Sequence, residues 1–184
     1  MGKIRPPLPV KLFVSVLTSL PEFMPEVERQ LSDFCGVIDQ RSEAYPFDQT
    51  EYYDSEMGRP IHRVFLSFGE LISPLEIASI KVKTNEVESW FAGECTKVAR
   101  PVNLDPGYLD QAKVVLASTK DFSHRLIISA GIYAEVTMHY RAGQWHSWPW
   151  TFPDFRTGRY NGFFSELRRR YRMQLKEGRL SGEC

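Results

Sequence analysis

The run Lys120-Asp121-Phe122-Ser123-His124-Arg125 gathers two cations, an acid, a hydroxyl and an imidazole around one aromatic ring. Lys120 and Arg125 are residue types that hold a phosphate or carboxylate, the guanidinium through two parallel hydrogen bonds. His124 is of a residue type that gives or takes a proton in acid–base chemistry, with Asp121 available to fix its tautomer. The same residues also make a capped turn with a surface ion pair. Glu135 follows in a segment of alternating polarity. Period two puts Tyr133, Glu135, Thr137 and His139 on one face, with Ile132, Ala134, Val136, Met138 and Tyr140 on the other, core-facing side. The turn before it decides what Glu135 meets. A two-residue turn at Ala130-Gly131 brings His124 to its side, as in an acid–base pair. A three-residue turn at Ser129–Gly131 sets Arg125 opposite, as in a cross-strand salt bridge.

A second group is Asn103-Leu104-Asp105-Pro106-Gly107-Tyr108. Asp-Pro-Gly is turn chemistry, and loops at strand ends commonly hold ligands. Asp105 suits a metal, a sugar hydroxyl or its own backbone. Asp105, Asp121, His124 and Glu135 are weak candidates for an oxygen-rich metal site, since no local spacing of the HExxH kind supports one. Which cofactor, if any, the chain takes is left open by these residues.

Two further features concern surfaces. Trp145, Trp148, Trp150, Phe152 and Phe155 crowd one short segment. Such density stacks nucleic-acid bases or, more commonly, pins an irregular segment into the core. Arg168, Arg169, Arg170 and Arg172 are too closely spaced to share one helix face, which suits a phosphate backbone or the acidic part of the same chain.

These residues need elements to position them. Lys11–Leu17 reads as a buried strand, Pro21–Phe34 as a helix ended by Gly36, Val37–Tyr45 as a weaker strand and Ile61–Phe68 as an alternating one. Ser73 caps a helix running to about Phe91. With Val102–Leu104 as the fourth strand, the order is βαββαβ, the ferredoxin-like split. Tyr108–Thr119 fits helix or strand. His124–Ile128 and Ile132–Tyr140 form a hairpin, and Gln144–Trp148 adds a short strand. Arg159–Gly178 closes the chain as a helix with Tyr160, Phe164, Leu167, Tyr171 and Leu175 as its apolar stripe. The expected fold is therefore one α+β domain over residues 11–178, a ferredoxin-like core extended by a β-hairpin and a C-terminal helix. An irregular arm (1–10) precedes it and a tail (179–184) follows.

The chain has 184 residues, enough to bury about 70% of its unfolded surface without covalent staples. Three scattered cysteines, Cys35, Cys95 and Cys184, offer neither a disulfide framework nor zinc-type spacing. No apolar run has membrane-spanning length, and no signal-peptide pattern opens the chain, so a cytoplasmic location is expected. Net charge is zero but uneven. Glu22–Glu56 carries ten acids and two bases, and Arg156–Arg179 eight bases and two acids.

The strings NLDPGYL (Asn103–Leu109), KVVLASTKDFSHR (Lys113–Arg125), GIYAEVT (Gly131–Thr137) and WTFPD (Trp150–Asp154) resemble a bacterial family, domain of unknown function 4416. PVKLFVSVL and PLEIASIKVKTNEVE fit it too. The resemblance implies no defined activity. Some members carry a GTP-binding label, but this chain has no GxxxxGK[ST] string to cradle phosphates, and its Lys120 and Asp121 are adjacent where a guanine-reading motif separates them.

The leading expectation is a pocket for a phosphate-bearing small ligand such as a nucleotide. Asn103, Asp105, Tyr108, Lys113, Lys120, Arg125 and Tyr133 would bind it, and His124, Glu135 and Asp121 would handle protons if it is hydrolysed or transferred. The alternatives are an RNA-binding module using the basic helix, and a protein-interaction domain without a ligand.

Overall fold

The structure, a computed structural model, describes residues 2–181. Strand β1 (Val10–Thr18) is buried along its whole length. A 3-10 turn at Pro21–Phe23 leads into α1 (Met24–Cys35), which Gly36 ends at φ 86°, a conformation that favours glycine. Next come β2 (Ile38–Arg41), β3 (Tyr45–Pro46), α2 (Asp54–Met57) and β4 (His62–Ile72). Ser73 and Glu76 then form a capping box at the 3-10 turn that opens α3 (Ile77–Glu94). The second half contains β5 (Val102–Leu109), β6 (Lys113–Ser118), β7 (Leu126–Ser129), β8 (Ile132–Arg141), β9 (Gln144–Ser147), α4 (Pro153–Arg156) and α5 (Asn161–Ser181). Cys184 and the end of the expected tail lie outside the described residues. Among the described residues no helix is long and apolar enough to cross a membrane.

The fold is mixed α+β: the described residues form five α-helices and one antiparallel sheet of nine strands, larger than expected. Its order is β2-β4-β1-β5-β6-β8-β7, with β3 beside β4 and β9 beside β8. Alternation along the strands builds two cores. Leu12, Val14, Val16, Val64, Leu66, Val102 and Leu104 face α1 and α3. Phe13, Phe65, Leu109, Val114, Leu116 and Met138 face the Phe163, Phe164, Leu167, Tyr171 and Leu175 stripe of α5. Phe65 is central to this second core, with its ring centroid 4.9–5.2 Å from those of Tyr160, Phe163 and Phe164. A small cluster of Leu17, Phe47, Met57 and Ile61 anchors the long loop before β4.

Three local expectations need correction. Asn103–Tyr108 is not a turn but part of β5, and Val14 stands opposite Pro106. A proline fits there because its missing N–H falls on the edge of β5 away from β1. The hairpin does turn at Ala130-Gly131, both at positive φ, but the register shifts between Ile127 and Ser129. The shift restores the pairing Leu126↔Ala134, which leaves Arg125 as the residue facing Glu135. Finally, the β6–β8 register skips Thr137, between the pairs Val115↔Val136 and Val114↔Met138. This bulge returns Met138 and Tyr140 to the face of Glu135, so polar site and apolar core share that face.

Gly107 is required where β5 meets β6. A Cβ there would lie 2.5 Å from the Val115 carbonyl oxygen, 2.6 Å from Phe13 and 2.8 Å from Leu116. Gly107→Ala is expected to lower stability by about 2 kcal/mol or more through overpacking, read from the urea midpoint. An unchanged midpoint would show that the two strands separate freely.

Candidate ligand-binding site

β5 and β6 pair only where Gly107, Tyr108 and Leu109 meet Leu116, Val115 and Val114. Beyond Pro106 the sheet splays open. The edge of β5 that a strand would have covered is instead satisfied by α3. The N–H of Leu104 donates to Glu88 Oε1 at 2.8 Å, and its carbonyl accepts from Lys81 Nζ at 2.7 Å. Lys81 also sits 3.2 Å from Asp105 Oδ1 and 3.7 Å from Glu88. Asn103 Nδ2 donates to Asp105 Oδ2 at 2.6 Å, and Arg100 binds both Asn103 Oδ1 and Glu88.

The split forms the base of a cavity of about 600 Å³, a volume usual for small-molecule sites. One wall is the segment 116–125. Another is the loop carrying Tyr52 and Tyr53, and a third runs from Trp150 to Phe155. Lys120 Nζ reaches across the mouth to donate to the Tyr52 hydroxyl at 2.6 Å, and lies 4.7 Å from the centre of its ring.

Glu135 is almost fully buried and organises the segment before β7. It accepts from Arg125 Nε at 2.8 Å, contacts His124 Nε2 at 3.1 Å and accepts from Thr137 Oγ1 at 3.3 Å. Arg125 Nη1 also donates to Ser118 Oγ and the Lys120 carbonyl, each at 2.9 Å. Both partners weighed for Glu135 are thus present. The register places Arg125 opposite it, and the turn closed by Arg125 N–H to Phe122 O folds His124 back to the same carboxylate. That carboxylate, not Asp121, orients the imidazole.

At the other side Arg63 projects from β4 into the base of the cavity. Its Nε lies 2.8 Å from Asp154 Oδ2, a charge contact rather than an aligned hydrogen bond, and Nη1 donates to Ser15 Oγ. Tyr160 donates to the same Asp154 oxygen at 2.9 Å. Phe47 and Phe155 flank the guanidinium at 5.1 and 5.3 Å.

These contacts set the protonation states. Burial by itself would raise the Asp105 pKa, but the Lys81 and Arg63 charges and the Asn103 amide outweigh it, and the net shift is downward. Burial pushes the Tyr53 phenol up to about 12, with Asp105 adding to it. Asp105 is therefore a committed anion and Tyr53 a neutral hydroxyl at physiological pH.

Of the residues expected at a site, Asn103, Asp105, Lys120, Asp121, His124, Arg125 and Glu135 line this cavity. Tyr108, Lys113 and Tyr133 do not. Tyr108 packs on the α1 and α3 side of the sheet, Lys113 is tied to Asp110 at the far end of β6, and Tyr133 lies outside the wall. Asp121, His124, Glu135 and Asp105 share the wall, but among the described residues no three His, Cys, Asp or Glu side chains are grouped as a metal ion requires.

Tyr52, Tyr53, Arg63, Lys81, Glu88 and Asp154 join the wall without having been singled out. Two of them had left a trace in the chain. Lys81 falls inside the apolar stripe of α3 between Ile77 and Thr84, and Arg63 occupies an inward position of an alternating strand. A charge at a core position signals a buried partner.

The tryptophan segment divides. Trp145 and Phe155 are core residues, while Trp150 and Phe152 are exposed. Trp150 donates its Nε1–H to the Val136 carbonyl beside the β8 bulge. Its ring stacks on His124 at 5.5 Å and on Trp148 at 5.2 Å. Along α5, Arg168 lies 3.8 Å from the Tyr140 ring centre and donates to the Gln111 carbonyl, and Arg169 and Arg170 pair with Glu166.

Residues 8–171 match the sequence model of the family described as Domain of unknown function (DUF4416). The chain belongs to this family. The match takes in every cavity-lining residue, so the site lies within the family domain. No curated protein and no solved structure is matched by the chain.

Proposed function

We propose that the cavity binds a small ligand bearing a phosphate and a planar ring, a nucleotide being the simplest. The observation that carries this reading is the convergence of Lys120, Arg125 and His124 with exposed aromatic rings on one cavity of ligand size. The wall cations differ in what they already hold. Arg63 faces Asp154, Lys81 faces Asp105, Arg100 faces Glu88 and Arg125 faces Glu135. Among the described residues Lys120 contacts only a neutral tyrosine through its ammonium group, so the anionic group belongs at Lys120 and the neighbouring Arg125. Tyr52 and Phe122 are 62% and 63% exposed at the mouth and offer ring surface to a planar ligand, whereas the Trp150 ring is already stacked on His124 and Trp148. In phosphoester hydrolysis or transfer, the cations would steady the phosphoryl charge and His124, held by Glu135, would move the proton.

Arg168, Arg169 and Arg170 of α5 are engaged with Tyr140, Gln111 and Glu166, which favours the cavity over RNA binding by these three. The strand order β2-β4-β1-β5, with α1 and α3 on one face, supports reading the first half as a ferredoxin-like βαββαβ unit.

Calorimetric titration with nucleotides, nucleosides and inorganic phosphate tests the proposal. Nucleotides are expected to bind, with at least ~10-fold weaker affinity in Lys120→Ala and in Arg125→Ala. No binding at millimolar nucleotide, or equal binding by folded variants, overturns it. Phosphate release lost in His124→Ala would add catalysis to binding.

A further inference from the structure

We infer that Asp105 and Tyr53, at the inner end of the cavity, hold the vicinal diol of a ribose, so that the ligand is a ribonucleotide and not its deoxy form. The inference rests on the proposed nucleotide reading and assigns the part of the ligand that lies deepest. The two oxygens of Asp105 accept from Lys81 Nζ at 3.2 Å and from Asn103 Nδ2 at 2.6 Å, which fixes the carboxylate in one orientation. A carboxylate has about four acceptor positions, so roughly two stay free. The Asp105 side chain is 30% exposed and lines the cavity, so those positions are reachable. Two hydroxyls on neighbouring carbons match them, and a carboxylate is a recurrent partner of ribose hydroxyls. Two further polar groups line the same cavity without a hydrogen bond from their side chains among the described residues. The Tyr53 hydroxyl is near enough to Asp105 to feel its charge, and the Asn85 amide stands one turn beyond Lys81 on α3.

Charge and ring surface decide what belongs there. Arg63, Lys81 and Arg100 already face Asp154, Asp105 and Glu88. A charged group brought to this end would lose its water and find no free counter-charge, and a metal ion at Asp105 would meet the Lys81 ammonium. An uncharged group that donates and accepts hydrogen bonds escapes both costs. The edge of a base also donates, but its ring needs an apolar face. Asp105 is surrounded by Lys81, Asn103 and the charge of Arg63, and the Tyr53 ring is occupied by Arg100 at 5.3 Å and Phe47 at 6.0 Å. Ring surface is offered at the mouth by Tyr52 and Phe122, the same end as Lys120. In a nucleotide the base leaves the sugar at C1′ and the phosphate at C5′, with the 2′,3′ edge between them. With base and phosphate at the mouth, the sugar is the inward part and the diol is its donor-bearing edge.

Calorimetric titration with matched ribo-, 2′-deoxy- and 3′-deoxynucleotides of each base, and with the ribo- and deoxynucleosides, reads the outcome. Ribonucleotides are expected to bind at least ~10-fold more tightly than either deoxy form, because groups placed for a hydroxyl are left unpaired when it is missing. Tyr53→Phe removes a hydroxyl that holds nothing in the protein, so its thermal midpoint should stay near that of the unmodified chain while the ribo-to-deoxy ratio falls several-fold. Asp105→Asn should bring the ratio close to one. Equal affinity for ribo and deoxy forms, still weakened by Lys120→Ala, overturns the inference and leaves the proposed function standing. So does a preference for one base that is blind to the sugar. An unchanged ratio in Tyr53→Phe overturns it too, even if Asp105→Asn fails to fold. Binding of ribonucleosides but not deoxynucleosides, indifferent to Lys120→Ala, supports the diol site and overturns the phosphate reading. Absence of binding by every nucleotide and nucleoside overturns both.

Discussion

Asp154→Ala is expected to cost about 3–5 kcal/mol of unfolding free energy, because it strands the buried guanidinium of Arg63 among aromatic rings. Arg63 is 5% exposed and Asp154 2%, so neither charge has water to fall back on. The loss spreads beyond one pair. Tyr160 donates its hydroxyl to the same carboxylate, and its ring stands 4.9 Å from Phe65 in the centre of the second core. The decisive comparison is the double variant Arg63→Met with Asp154→Ala. Removing both charges replaces a desolvated pair by apolar contact and should recover most of the lost stability, whereas Asp154→Ala alone should not. Urea unfolding of the two single variants and the double variant checks this. Additive losses would show that the two groups act independently and that the cavity base is not built on their pairing.

Glu135→Ala should act on stability and site together. The carboxylate is held by Arg125, His124 and Thr137, and with it gone Arg125 is left largely buried without a counter-charge. A loss of about 3 kcal/mol is expected. Glu135→Gln, which keeps shape and one acceptor, should cost less, roughly 1–2 kcal/mol. In the proposed function the larger consequence is for binding. The segment 119–125 carries Lys120, His124 and Arg125, and Glu135 is the group that folds the last two onto the cavity wall. Nucleotide affinity should therefore fall at least ~10-fold in Glu135→Ala while partly surviving in Glu135→Gln, with unfolding and titration measured on the same preparations. Undiminished affinity in a folded Glu135→Ala would mean that the segment is held by other contacts.

Local chemistry made much of this protein legible in its sequence. The capping box at Ser73, the glycine stop at Gly36 and the aromatic stripe of α5 each depend on residues near one another in the chain, so their types and spacing determine them. The chemical richness of Lys120–Arg125 and of Asn103–Asp105 is likewise visible in the letters. Three things were decided only by tertiary structure. Asp105-Pro106-Gly107 has the composition of a turn yet lies in a strand, because β1 pairs with it and because Phe13 and Val115 approach too closely for any side chain at Gly107. The bulge at Thr137 reversed the facing of Met138 and Tyr140, since one extra residue inverts every later position of a period-two pattern. The buried charges Arg63, Lys81, Glu88 and Asp154 could be paired only in space. Lys81 and Asp105, or Arg63 and Asp154, are distant in the chain, and a side chain's partner across such a distance depends on how strands and helices are laid together, which no local spacing encodes.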